Sequence, residues 1–183
     1  IYTLWHTLSL HDALPISMSA ATIYAMEVDR PAAVLRHLDD ALRDELETTE
    51  MYLSLFYGVL DPARGELVYA NAGHPHAFLI HRDGRHRRLL ATDPPVGIAG
   101  PDSYGEVRVP WVRGEDVLLL FTDGMSDTLG EVEGGGGEDI VLRAAIQGRE
   151  GDPQKVVDDL FRRAEEADAT IPADDRTVLV LRA

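Results

Sequence analysis

Three carboxylates stand where the surrounding pattern gives them chemical use. Asp123 directly follows the apolar run Asp116–Phe121 (DVLLLF), and Asp174 with Asp175 directly precedes Thr177–Leu181 (TVLVL). Short, near-continuous apolar runs are consistent with strands buried on both faces. The carboxylates then sit at strand ends, which can converge in space when the sequence keeps them apart. A carboxylate at the rim of an apolar strand is costly unless a cation or a donor compensates it. Gly124, next to Asp123, permits close backbone approach. Oxygen donors that leave room for waters suit Mg²⁺ or Mn²⁺ and are poor for zinc. Such a site could activate water. The plainer reading stands beside it: Asp-Gly after a strand is a common turn, and Asp-Asp before a strand is a common cap or solvated loop.

The elements around these positions predict an α+β fold. After Asp29 and Pro31, apolar residues Val34, Leu35, Leu38, Ala41, Leu42 and Leu46 recur at helical spacing, so an amphipathic helix covers one side of a sheet. Strands follow at Met51–Leu60, Glu66–Ala70 and Ala77–His81, with a turn at Ala63-Arg64-Gly65. Asp83-Gly84 marks a hairpin into Arg85–Leu90. Further strands are expected at Tyr104–Val109, Asp116–Phe121 and Thr177–Leu181, with Thr122-Asp123-Gly124 ending the second of these sharply. Gly134–Gly137 reads as a flexible loop, and helices are expected at Glu138–Ile146 and Pro153–Asp168. Strands in meander order, with helices before and after, point to a layered sandwich rather than a doubly wound parallel sheet.

Composition narrows the function classes. The 183 residues are 45% hydrophobic, enough for one compact domain with a real core. A formal net charge of -15 opposes binding to a nucleic-acid backbone, which needs a clustered basic face. Cysteine is absent, which removes thiolate chemistry and cysteine-ligated zinc and fits a cytoplasmic location. No apolar stretch is long enough to span a membrane.

The ordered set YANAGHP (Tyr69–Pro75), GEDVLLLFTDGMSD (Gly114–Asp127) and DDRTVLVL (Asp174–Leu181) resembles the PPM-type phosphatases, in particular their SpoIIE-like bacterial branch. The resemblance runs from about Ser19 to Ala183 and includes Pro95-Val96-Gly97, which is similar to the family's PLG segment. It implies an αββα sandwich of mainly antiparallel strands. It also implies a centre holding two Mn²⁺ or Mg²⁺ ions, with Asp123 and Asp174 as metal ligands and no catalytic residue beyond them. Asp175 is a weaker candidate, and Gly124 shares the TDG motif. His74 could serve as a general acid, but its place between two strands and before Pro75 favours a structural turn, as for Asn71 and Gly73. Asp127 is read as a cap and left out of the site.

The N-terminal part departs from that family. Residues Ile1–Ser17 show no clean period, and Leu8–Ser17 (LSLHDALPIS) resembles translated sequencing-adapter text, so the leader is taken as residues 1–17 and the phosphatase part as 18–183. No Asp-x-x-Gly-x-Gly motif precedes Met18, and Asp12 lacks the glycines needed to replace it. Ser19–Met26 resembles the later part of the helix that follows that motif. The expectation is a domain incomplete at its N-terminus, with low activity and an exposed sheet edge.

The function the resemblance implies is hydrolysis of phosphoserine or phosphothreonine on a signalling protein, often a STAS-type anti-anti-sigma factor. A catalytically silent binding module is the alternative of another class. A purely structural reading of the acidic clusters is the weakest of the three.

Overall fold

The computed structural model describes residues 2–7, 30–98, 100, 103–133, 136–167 and 175–183. Where composition suggests a single compact body, the chain forms two compact units: Ile1–Pro75 with Leu90–Val112, and His76–Leu89 with Arg113–Ala183. Each has a four-stranded antiparallel sheet and its own apolar core, so the fold class is α+β as expected.

In the first unit, strands β1 (Tyr2–Thr7), β2 (Leu55–Asp61), β3 (Glu66–Ala72) and β6 (Val107–Pro110) lie in the order β1-β2-β3-β6. The first strand was not legible in a segment without period-2 alternation; it pairs from Tyr2↔Leu60 to Thr7↔Leu55. Helix α1 (Pro31–Thr49) starts with Pro31 in its first turn and stops at Glu50, whose φ of 53° is left-handed. Its expected stripe is realised except at Ala41, which is exposed: Val34, Leu35, Leu38, Leu42 and Leu46 are buried with Leu55, Tyr57, Val59, Ala70 and Ala72 of the sheet. Each large side chain buried this way stabilises by about 1.5–3 kcal/mol.

The stripe also contains a residue that the pattern does not announce. Asp39 is completely buried, accepting from Arg43 Nη2 at 2.8 Å and from the Gly97 amide at 3.0 Å. Burial, with the Asp39 carboxylate alongside, holds the Tyr104 hydroxyl above its ordinary pKa. The Pro95-Val96-Gly97 stretch is thereby fastened to α1, and Val96 exchanges both backbone bonds with Leu53 at 2.9 Å. Gly97 has φ of 91°, and a β-carbon there would lie 3.0 Å from Leu46 Cδ1. Only glycine meets both conditions without strain.

In the second unit, strands β4 (Ala77–Ile80), β5 (His86–Arg88), β7 (Val117–Phe121) and β8 (Val178–Leu181) lie in the order β5-β4-β7-β8. All five residues of β7 are buried, as its apolar run predicts. Helices α2 (Asp123–Glu133), α3 (Gly137–Gly148) and α4 (Pro153–Ala167) supply Met125, Leu129, Ile140, Val141, Ala145, Leu160 and Ala164 to its core.

Three expectations need correction. The strands do not run as a simple meander, because β3 and β4 are consecutive in the chain yet belong to different sheets. The break falls at Gly73, whose φ is 77° and where a β-carbon would come within 2.6 Å of Pro95 Cγ. Secondly, Asp123-Gly124 opens a helix rather than a turn, with Met125 and Leu129 one turn apart on its buried face. Thirdly, the glycine run is not loop throughout, since Gly137 is the first residue of α3. Met18, Ser19–Met26 and Asp12 lie outside the described residues.

Candidate functional site

Asp123 and Asp175, two of the carboxylates predicted at strand ends, follow β7 and precede β8, which are antiparallel neighbours with Phe121 opposite Val178. The end of β7 is therefore beside the start of β8, and Thr122 ties the two segments together. Its amide donates to the Thr177 carbonyl at 3.0 Å, its hydroxyl donates to the Asp175 carbonyl at 2.9 Å, and the Thr177 amide donates back to that hydroxyl at 2.9 Å. Asp123, one residue beyond Thr122, and Asp175, whose carbonyl is part of this clasp, are thus brought to one edge of the sheet. Asp174 lies outside the described residues.

Asp123 is the first residue of α2, where the positive end of the helix dipole favours a carboxylate. Its side chain is 54% exposed. The helix start is closed locally: the Met125 amide donates to the Thr122 carbonyl at 3.1 Å, the Ser126 hydroxyl to the Asp123 carbonyl at 2.9 Å, and the Thr128 hydroxyl to the Gly124 carbonyl at 2.7 Å.

A line of side chains leads away from Asp123. His76 Nε2 is 3.2 Å from Asp123 Oδ1, and its Nδ1 is 2.8 Å from Glu138 Oε2. The imidazole stacks on Phe121 with centroids 4.5 Å apart and planes 10° apart. Glu138 also takes a charged hydrogen bond from Arg88, whose guanidinium lies 4.7 Å over the Phe78 ring. Burial pushes the Glu138 carboxyl up, but the bonds from Arg88 and His76 outweigh it and leave it below its ordinary pKa.

His76, Glu138 and Arg88 were not anticipated from the sequence. The β4–β7 register puts Ala77 opposite Leu120, so His76 falls opposite Phe121 at the same strand end as Asp123. That placement requires knowing that β4 pairs with β7.

His74, in the first unit, has a different setting. It is buried, and its backbone closes a turn with Asn71: the His74 amide donates to Asn71 Oδ1 at 2.8 Å, and Asn71 Nδ2 donates to the His74 carbonyl at 2.9 Å. Asn71 is held in turn by Thr92, whose hydroxyl accepts from its amide at 3.0 Å.

Among the described residues no three His, Asp or Glu side chains gather closely enough to hold a metal. What the described edge offers is the exposed Asp123 carboxylate, with His76 Nε2 3.2 Å from one of its oxygens. A carboxylate is a hard oxygen donor of the kind that Mg²⁺ and Mn²⁺ prefer. No helix among the described residues is long and apolar enough to cross a membrane.

Comparison with known proteins places the fold. Phosphoserine phosphatase RsbP of Bacillus subtilis is 30% identical over 118 residues, which cover 61% of this chain and 29% of that protein. The chain spans less than a third of the length of the curated relatives it matches. The SiaA PP2C domain of Pseudomonas aeruginosa superposes with a TM-score of 0.78 at 20% identity, covering 99% of this chain and 80% of that one. The catalytic domain of the serine/threonine phosphatase PstP, solved with two manganese ions, superposes with a TM-score of 0.65 at 15% identity, over 97% of this chain and 84% of that one. The family model of Stage II sporulation protein E (SpoIIE) matches residues 10–183. The chain belongs to the Stage II sporulation protein E (SpoIIE) family, and its fold is similar to that of PP2C domains.

Proposed function

We propose that the chain is a phosphoprotein phosphatase that uses Mn²⁺ or Mg²⁺ to remove phosphate from serine or threonine of a signalling regulator. A phosphorylated STAS-type anti-anti-sigma factor is the favoured substrate class. The observation that carries this reading is the Thr122 clasp, which holds Asp123 and Asp175 at one edge of the β7–β8 pair.

Asp123 and Asp174 act in this reading as the metal ligands, with Asp175 and Gly124 beside them; His74 keeps its turn. Bound divalent cations supply Lewis acidity toward the phosphoryl oxygens and toward an attacking water. The chain contributes oxygen ligands and a fixed edge that positions the phosphoryl group. No covalent enzyme intermediate is needed, in keeping with the lack of cysteine and of a G-x-S-x-G turn. Residues 1–17 are proposed to contribute no metal ligand, since they hold no Asp-x-x-Gly-x-Gly motif.

The test is phosphate release from a phosphorylated STAS-domain protein, beside phosphoserine, phosphothreonine and phosphotyrosine peptides, with MnCl₂ or with EDTA. The reading predicts Mn²⁺-dependent release from the phosphoserine or phosphothreonine substrates. Preference for phosphotyrosine, or release undiminished by EDTA, would contradict it.

A further inference from the structure

A partly exposed carboxylate gains little stability from a single ion pair, of the order of 0–1 kcal/mol. Asp123 is nevertheless met by a side chain that is itself fixed on every side. The His76 ring is only 15% exposed, its plane is set by stacking on Phe121, and its Nδ1 is anchored by Glu138. Glu138 is held by Arg88, and Arg88 rests on Phe78. Four supports converge to aim one atom, Nε2, at one oxygen of Asp123. The 3.2 Å approach of Nε2 to Oδ1 restrains that side of the carboxylate and leaves the second oxygen to a ligand.

The placement of Glu138 is equally determined. It follows Gly137, where a β-carbon would lie 1.6 Å from the Ser126 carbonyl oxygen of α2. The absent side chain lets α3 begin against α2, within reach of the His76 ring.

We infer that His76 is a positioning residue for Asp123, held by Glu138 and Arg88, and that it tunes the cation affinity of the site without touching the cation or the phosphoryl group. The inference rests on the reading of Asp123 as a metal ligand. Outer partners that orient a metal-binding side chain typically change affinity 10- to 100-fold when removed. Side-chain geometry separates this role from simple packing. Glutamine can place an N–H near the position of Nε2, whereas asparagine reaches only as far as Nδ1.

The experiment is calorimetric titration of MnCl₂ into the full 183-residue chain and into His76→Gln, His76→Asn and Asp123→Asn, with far-UV circular dichroism of each. His76→Asn is expected to weaken Mn²⁺ binding by about 10-fold or more and His76→Gln to recover most of that loss, all with unchanged dichroism. Asp123→Asn is expected to remove the binding. Equal affinity in His76→Asn and the unsubstituted chain, or equal losses in the two His76 variants, would overturn the positioning role while leaving the metal reading intact. Saturable binding that survives Asp123→Asn, or none in the unsubstituted chain, would overturn the metal reading and this inference with it. Should His76→Asn lose its dichroism, Glu138→Gln takes its place, expected to weaken Mn²⁺ binding; unchanged affinity in that variant would overturn the inference.

Discussion

Gly137 begins α3 so close to Ser126 of α2 that a β-carbon on it would overlap the Ser126 carbonyl oxygen, at 1.6 Å. Backbone cannot yield as a flexible side-chain end can. In a free helix alanine is favoured over glycine by about 1 kcal/mol. Here overpacking reverses the sign, and Gly137→Ala is expected to destabilise the chain by about 1–3 kcal/mol in urea denaturation. The neighbouring Gly136→Ala, whose β-carbon would meet Asp139 Oδ2 at an ordinary 3.4 Å, serves as the control with little change.

Asp39 supplies the second prediction. Its buried carboxylate satisfies the Gly97 amide and Arg43, so Asp39→Ala strands a backbone donor. A loss of about 1–3 kcal/mol is expected. Asp39→Asn retains an acceptor and should lose less, and the exposed neighbour Asp40→Ala should fall within about 0.5 kcal/mol of the unsubstituted chain. Chemical denaturation of the three variants in parallel measures the order.

Glu138 sets the direction of an acid effect. Its folded pKa lies below the ordinary value of 4.5, so its contribution is present above that value and is lost as pH falls through the lower folded one. The thermal midpoint of the unsubstituted chain should therefore drop more steeply below pH 4.5 than that of Glu138→Gln. Thermal melts across that interval measure the difference.

Periodicity revealed the parts of the molecule whose burial follows a simple rule. The α1 stripe from Val34 to Leu46 and the solid apolar run of β7 each announce an element and the face it buries. The convergence of Asp123 with Asp175 was also legible, since two apolar strands with acidic ends suffice to suggest it. Helix α2 was hidden because Asp123-Gly124 carries turn chemistry, while its buried face rests on Met125 and Leu129. The chain's change of sheet between β3 and β4 depends on Gly73 packing against Pro95, a tertiary contact without local signal. His76, Glu138 and Arg88 were missed for the same reason. Glu138 is 62 residues from His76 and 50 from Arg88, and only the fold reveals their partnership.

The most direct measurement of the account's central claim is hydrolysis of p-nitrophenyl phosphate by the chain and by Asp123→Asn, each with MnCl₂ and with EDTA. The account predicts a low rate in the unsubstituted chain that requires Mn²⁺ and disappears in Asp123→Asn. A rate that persists in EDTA, or that Asp123→Asn retains in full, would contradict it.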